Sequence, residues 1–134
     1  MSVVLQVRRN KTVNDIQSEF SAAYPFLKID MYKPSGRGQF EGGRLKLGYS
    51  TLLGAAGILE EGEFLIFDSM PVGQLEKAFL EKFGVLVQVS RKSGSVWLET
   101  TMTDRWTLKQ QNDHGRELSA PAGTSFPADE ADAQ

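Results

Sequence analysis

MPVGQLEKAFLEKFGVLVQVSRKSGSVWLETT, residues 70–101, decides the fold. Val72, Leu75, Phe79 and Phe83 recur at helical spacing and form one apolar stripe. Pro71 suits the first helical turn, where a missing N–H costs nothing, and Gly84 is placed to close the helix. Val85, Val87 and Val89 then alternate as the buried face of a strand. Ser93-Gly94 predicts a hairpin turn. A turn centred there sets Val89 opposite Leu98 and Arg91 opposite Val96, and puts Leu86, Gln88, Ser90, Trp97 and Glu99 on the second face.

Moving outward, a shift of 59 residues finds a weaker copy near the N-terminus: Val13, Ile16, Phe20 and Tyr24 fall on the same stripe. Thr12-Val-Asn-Asp15 resembles a capping box. Pro25 stops that helix, because the residue before a proline is pushed away from helical angles. A short alternating strand, Ser2 to Arg8, precedes it. Another follows, with Leu27, Ile29 and Met31 on one face and Lys28, Asp30 and Tyr32 on the other. The two copies differ by one residue in strand parity. FLIF, residues 64–67, supplies the strand before the second helix.

These elements predict an α+β fold: a ferredoxin-like β-α-β-β-α-β framework, with both helices on one face of a four-stranded antiparallel sheet. An added C-terminal hairpin strand extends it, and an insertion at 34–61 separates the two halves. Residues 34–49 are Gly-rich, with a short strand expected over Arg44–Tyr49. Ser50–Glu60 reads as a short helix or a tucked segment. After Thr101 a short helix is expected, capped by Thr101 or Thr103. A single domain thus spans 1–112, and residues 113–134, small, acidic and Pro-containing, read as a disordered tail.

The chain has 134 residues, 40% of them hydrophobic, and no cysteine, which excludes disulfides and thiolate chemistry. The N-terminus places its charges after a short apolar run, the reverse of a signal peptide. No segment approaches the ~20 apolar residues of a membrane span. A cytoplasmic protein is expected. Net charge is −2, but residues 1–49 carry eight Lys/Arg against four Asp/Glu, a mild basic bias.

The stretches TVNDIQSEF and YPFLKI, and above all VQVSRKSGSVWLETTMTDRWTLKQQN, resemble an uncharacterised family of small cytoplasmic bacterial proteins, over roughly residues 8–112. The resemblance implies one compact domain and carries over no catalytic residue. LLGAAGIL, residues 52–59, departs from the polar segment expected before the third strand.

No catalytic, metal or cofactor-binding residue is predicted. His114 is the only histidine and begins the expected tail; without a second His or a Cys, a metal site would rest on carboxylates alone. Asp68 and Ser69 sit before a helix and read as caps. Glu60, Glu61 and Glu63 read as a solvated loop. The candidate binding residues are cations and aromatics: Tyr32, Lys33, Arg37, Arg44, Lys46, Arg91, Lys92 and Trp97. Helices on one side of the sheet leave Val4, Tyr32, Leu86 and Trp97 on the other, among Gln6, Arg8, Lys28 and Gln88. Residues 52–59 or the Trp106 helix are expected to cover that face first, a second copy next, and nucleic acid last. The leading expectation is therefore a non-catalytic binding or protein-interaction module that self-associates as a homodimer. Behind it stand a nucleic-acid-associated protein and, last, a small-ligand-binding domain or enzyme.

Overall fold

A computed structural model describes residues 1–34 and 44–119. In chain order the elements are β1 (Ser2–Val7), α1 (Val13–Ala23), β2 (Leu27–Pro34), β3 (Arg44–Lys46), α2 (Leu53–Ala56), β4 (Gly62–Phe67), α3 (Val72–Phe83), β5 (Leu86–Ser93), β6 (Val96–Glu99) and α4 (Leu108–Leu118). The fold is α+β with two antiparallel sheets: a ribbon, β1-β4, and a four-stranded sheet in the order β3-β2-β5-β6.

This strand order replaces the single ferredoxin-like sheet. There β1 and β4 would share one sheet with β2 and β5. Here β2 and β5 pair with each other, and their outer edges are taken by β3 and β6. Each of those strands follows its neighbour in the chain, so pairing it closes a shorter loop than recruiting β1 or β4 would. The ribbon instead packs its inner residues, Leu5, Val7, Phe64 and Ile66, into a core shared with α1, α3 and the β2-β5 pair.

Both helical stripes are buried as expected. Phe64, Phe79 and Phe83 form an aromatic cluster, with Phe79 and Phe83 centroids 4.7 Å apart and Phe64 edge-on to Phe79 at 5.2 Å. The α1 capping box is present, with Asp15 N–H donating to Thr12 Oγ1 (3.1 Å) and Thr12 N–H donating to Asp15 Oδ2 (2.9 Å). Gly84 ends α3 at φ +74°, in the left-handed region that favours glycine, and a Cβ there would lie 2.8 Å from Leu59 Cγ.

The halves are more alike than their sequences. The insertion and the C-terminal extension are counterparts, so each half runs β-α-β-β-α. In the first, Val13 and Asn14 donate to the carbonyls of Thr51 and Tyr49 (2.9 and 2.8 Å); in the second, Val72 and Gly73 donate to those of Trp106 and Asp104 (3.0 and 2.7 Å). Leu53 and Gly54 donate to Lys11 and Arg9, as Leu108 and Lys109 donate to Met70 and Asp68. Isolated bridges Thr12–Leu52 and Pro71–Thr107 complete the match. The parity mismatch is absorbed between helix and strand: Tyr24, Pro25 and Phe26 link α1 to β2, whereas only Gly84 and Val85 link α3 to β5. Leu27, Ile29 and Met31 therefore face the core, as do Val85, Val87 and Val89.

Several local expectations shift. The hairpin loop is Gly94-Ser95, with Gly94 at φ +63° and Ser93 opposite Val96, so Arg91 faces Leu98. A two-residue loop with positive φ at its first position puts the glycine there, one residue later than a Ser93-Gly94 centre. Thr101–Thr103 make only a 3₁₀ turn; α4 is capped by Thr107, whose hydroxyl accepts from Gln110 N–H, and it runs to Leu118, past the Asp113 at which the tail was expected. Neither α2 nor α4 covers the outer sheet face. Leu53, Ile58 and Leu108 enter the core, and Gly115 packs against Phe26 and Arg91 on the core side of the sheet.

Candidate functional site

The outer face of the four-stranded sheet is built from alternate residues: Arg44 and Lys46 from β3, Lys28, Asp30 and Tyr32 from β2, Leu86, Gln88, Ser90 and Lys92 from β5, and Trp97 and Glu99 from β6. Its floor is polar and buried, with Asp30, Gln88 and Ser90 each no more than 9% exposed. Long side chains wall it in. The Arg44 guanidinium sits 4.2 Å from the Tyr32 ring centroid, and Lys28 Nζ lies 5.4 Å from that of Trp97. Arg44 also reaches Glu99 at 3.8 Å, from one edge strand to the other. Arg44 pairs with Pro34, whereas Glu99 pairs with Ser90 and so aligns with Lys28; on a flat sheet the two lie ~25 Å apart, so the sheet coils to bring them together over this floor.

The candidate residues divide accordingly. Tyr32, Arg44, Lys46, Lys92 and Trp97 share the outer face. Lys33 pairs with Leu45 on the opposite face. Arg91 also lies on the opposite face, where it donates to Gln111 Oε1 (2.7 Å) beside the Trp106 ring, a contact that anchors α4. Arg37 lies outside the described residues. Val4, Gln6 and Arg8 leave this face altogether, because β1 belongs to the ribbon.

At the open edge of β2, past the end of β3, α1 stands in for a strand. Ser21 Oγ donates to the Leu27 carbonyl (3.1 Å), and Gln17 Nε2 donates to that of Ile29 (3.0 Å) and to Asp30 Oδ1 (3.4 Å). Asp30 also faces Lys28 and Lys46 at 3.7 and 3.8 Å. Here a cleft of about 600 Å³ opens, lined by Asn14, Gln17, Asp30, Lys46, Leu47, Gly48 and Tyr49. Of these only Lys46 stood out in the sequence. Gln17 and Ser21, four apart beside the apolar stripe, are the signal that α1 flanks a strand edge.

The second half treats its edge differently. Glu76, at the position of Gln17, accepts from Val89 N–H (3.0 Å) and from Gln88 Nε2 (3.4 Å). Burial pushes its carboxyl above the usual glutamate range; the Val89 N–H opposes the shift, while the charges of Asp104 and Glu99 add to it.

The outward side of β6 carries no further strand among the described residues. Val96, Trp97, Leu98, Met102 and Trp106 are five of the thirteen exposed large apolar residues in the described chain, gathered within eleven positions.

The acidic residues and the histidine weighed as sites in the sequence have structural partners. Asp68 is not a helix cap: Pro71 holds that position, and Asp68 Oδ1 accepts from the Tyr24 hydroxyl (2.9 Å). Burial and Asp68 together push the Tyr24 phenol well above its ordinary value. Glu61 accepts from Arg9 N–H, Glu60 pairs with Lys82, and His114 stands in α4 beside Glu117. Among the described residues no group of three or more His, Cys, Asp or Glu could hold a metal, and no helix is long and apolar enough to cross a membrane. Comparison with family models, curated proteins and solved structures returns no match.

Proposed function

We propose that this chain is a non-catalytic protein-interaction module that self-associates along the β6 edge. The observation that carries this reading is the concentration of exposed apolar side chains on and just after an open edge strand. Such an edge recruits another strand unless it is blunted. Thr100 N–H donates to the Val89 carbonyl and Leu98 pairs with Arg91, so the backbone groups of Trp97 and Glu99 point away from β5. An antiparallel pairing of two copies centred on Leu98 places Trp97 of each beside Glu99 of the other. The Lys28 ammonium over Trp97 then meets a carboxylate, and no like charges face one another. A symmetric contact of this kind closes at two copies.

The nucleic-acid reading is weaker. Arg44 and Lys28 are already engaged with Tyr32, Trp97, Asp30 and Glu99 on the same face.

Sedimentation velocity over a concentration series tests the proposal. The wild-type chain is expected to dimerise. Trp97→Pro, which deletes an outward N–H, and the double change Val96→Lys with Leu98→Lys are expected to be monomeric with the far-UV spectrum of the fold retained. A wild-type chain that stays monomeric at ~100 μM, a concentration that would half-populate a contact of only about −5 kcal/mol, removes the proposal.

A further inference from the structure

We propose that the cleft between α1 and the 47–49 segment binds a small anion carrying a flat ring, with a carboxylate or phosphate on Lys46 and Asn14 and the ring against Tyr49. Its volume of about 600 Å³ falls within the range of small-molecule sites. The charges lining it are unequally exposed. The Lys46 side chain is 59% accessible and that of Asp30 only 12%, so the field an incoming group meets is that of the cation. Asp30 lies 3.8 Å from the Lys46 ammonium, beyond good hydrogen-bond distance, and so orients it while leaving its N–H donors for a ligand.

Side chains must do the binding, because the α1 N-terminus is already satisfied. Val13 and Asn14 N–H donate to Thr51 and Tyr49 carbonyls, and Asp15 N–H donates to Thr12. Tyr49, 70% exposed on the cleft wall, offers a ring face and a hydroxyl. Gln17, held by the Ile29 carbonyl and Asp30 through its nitrogen, presents its oxygen as an acceptor for a donor on the ring.

The other half of the molecule provides the contrast. In the same fold positions Lys46 is replaced by Glu99, Tyr49 by Asp104, Gln17 by Glu76 and Asn14 by Gly73. That edge presents carboxylates, so an anion is taken at one end only.

Two-dimensional NMR of the full chain tests this, following the Asn14 and Gln17 side-chain amides and the Gly48 and Tyr49 backbone amides. The probes are a nucleoside 5′-monophosphate and an aromatic carboxylate, with ribose 5-phosphate, inorganic phosphate and acetate as controls that lack an aromatic ring. At least one aromatic anion is expected to give saturable shifts at these amides, binding about tenfold tighter than its non-aromatic control, and which one does so separates phosphate from carboxylate recognition. Lys46→Met and Tyr49→Ala are each expected to weaken it by about tenfold with the thermal midpoint unchanged, since both side chains are exposed. No saturable shift with either aromatic probe overturns the proposal. So does equal binding of the non-aromatic controls, or an affinity indifferent to both substitutions.

Discussion

The two halves share one chain path and end their central strands in opposite ways. At the edge of β2 an amide, Gln17, donates to a strand carbonyl beside a buried carboxylate, and a cleft stays open. At the edge of β5 a carboxylate, Glu76, accepts from a strand N–H, and an amide, Gln88, folds onto it. The lesson is that topology is carried by backbone contacts and by the apolar stripes, which the halves hold in common. Chemistry is left to a few side chains where each edge strand ends, and these have diverged.

The largest expected effect tests what is common. Phe20→Ala and Phe79→Ala remove equivalent, fully buried rings, and each is expected to cost ~3–5 kcal/mol in denaturant unfolding. Phe79 should fall at the upper end, because Phe64 and Phe83 both pack on it. A cost below ~1 kcal/mol at either site would mean that the stripes do not meet in one core.

Next comes the edge chemistry. In Gln17→Glu a carboxylate can no longer donate to the Ile29 carbonyl and is set beside Asp30, so a loss of ~1–3 kcal/mol is expected at neutral pH, shrinking as the pH falls and the new group protonates. Glu76→Gln should run the other way. The folded-state pKa of Glu76 lies above its unfolded value, so the native state holds that proton more tightly. Stability contributed by this group is fully present below the unfolded pKa and is lost as the pH rises through the folded one. An amide cannot ionise and still accepts from Val89 N–H. The variant should therefore gain on the wild type at neutral pH, and the gap should narrow toward pH 4. Unfolding curves across that range check both signs.

The smallest effect compares two left-handed glycines. Gly57→Ala meets open space and should cost only its backbone strain, ~1 kcal/mol, whereas Gly84→Ala adds a collision with Leu59 and should cost more. Equal costs would show that Leu59 yields freely.

The sequence made the helices legible because Val13 to Tyr24 and Val72 to Phe83 announce their period through large apolar side chains. The β2 and β5 faces were equally plain. What escaped was anything set by backbone pairing between distant segments. The similarity of residues 44–56 to 96–118 lies in which carbonyls cap which helix, and Tyr49 and Asp104 do that work with main-chain atoms that carry no sequence signature. The split into two sheets was hidden for the same reason, since alternation reveals a strand's faces but not its neighbours. At the candidate site, Tyr32, Arg44, Lys46 and Trp97 could be found by residue type. Gln17 and Asp30 could not, because ordinary polar residues gain meaning only from where α1 crosses the edge of β2.

Amide hydrogen exchange at the two edge strands tests the self-association reading most directly. Trp97 and Glu99 on β6 and Arg44 and Lys46 on β3 hold equivalent places on the outer edges of the sheet. In a concentrated sample the Trp97 and Glu99 amides are predicted to be protected and to lose that protection on dilution, while Arg44 and Lys46 keep the same rates throughout. Trp97 and Glu99 amides that exchange equally fast at every concentration would contradict it.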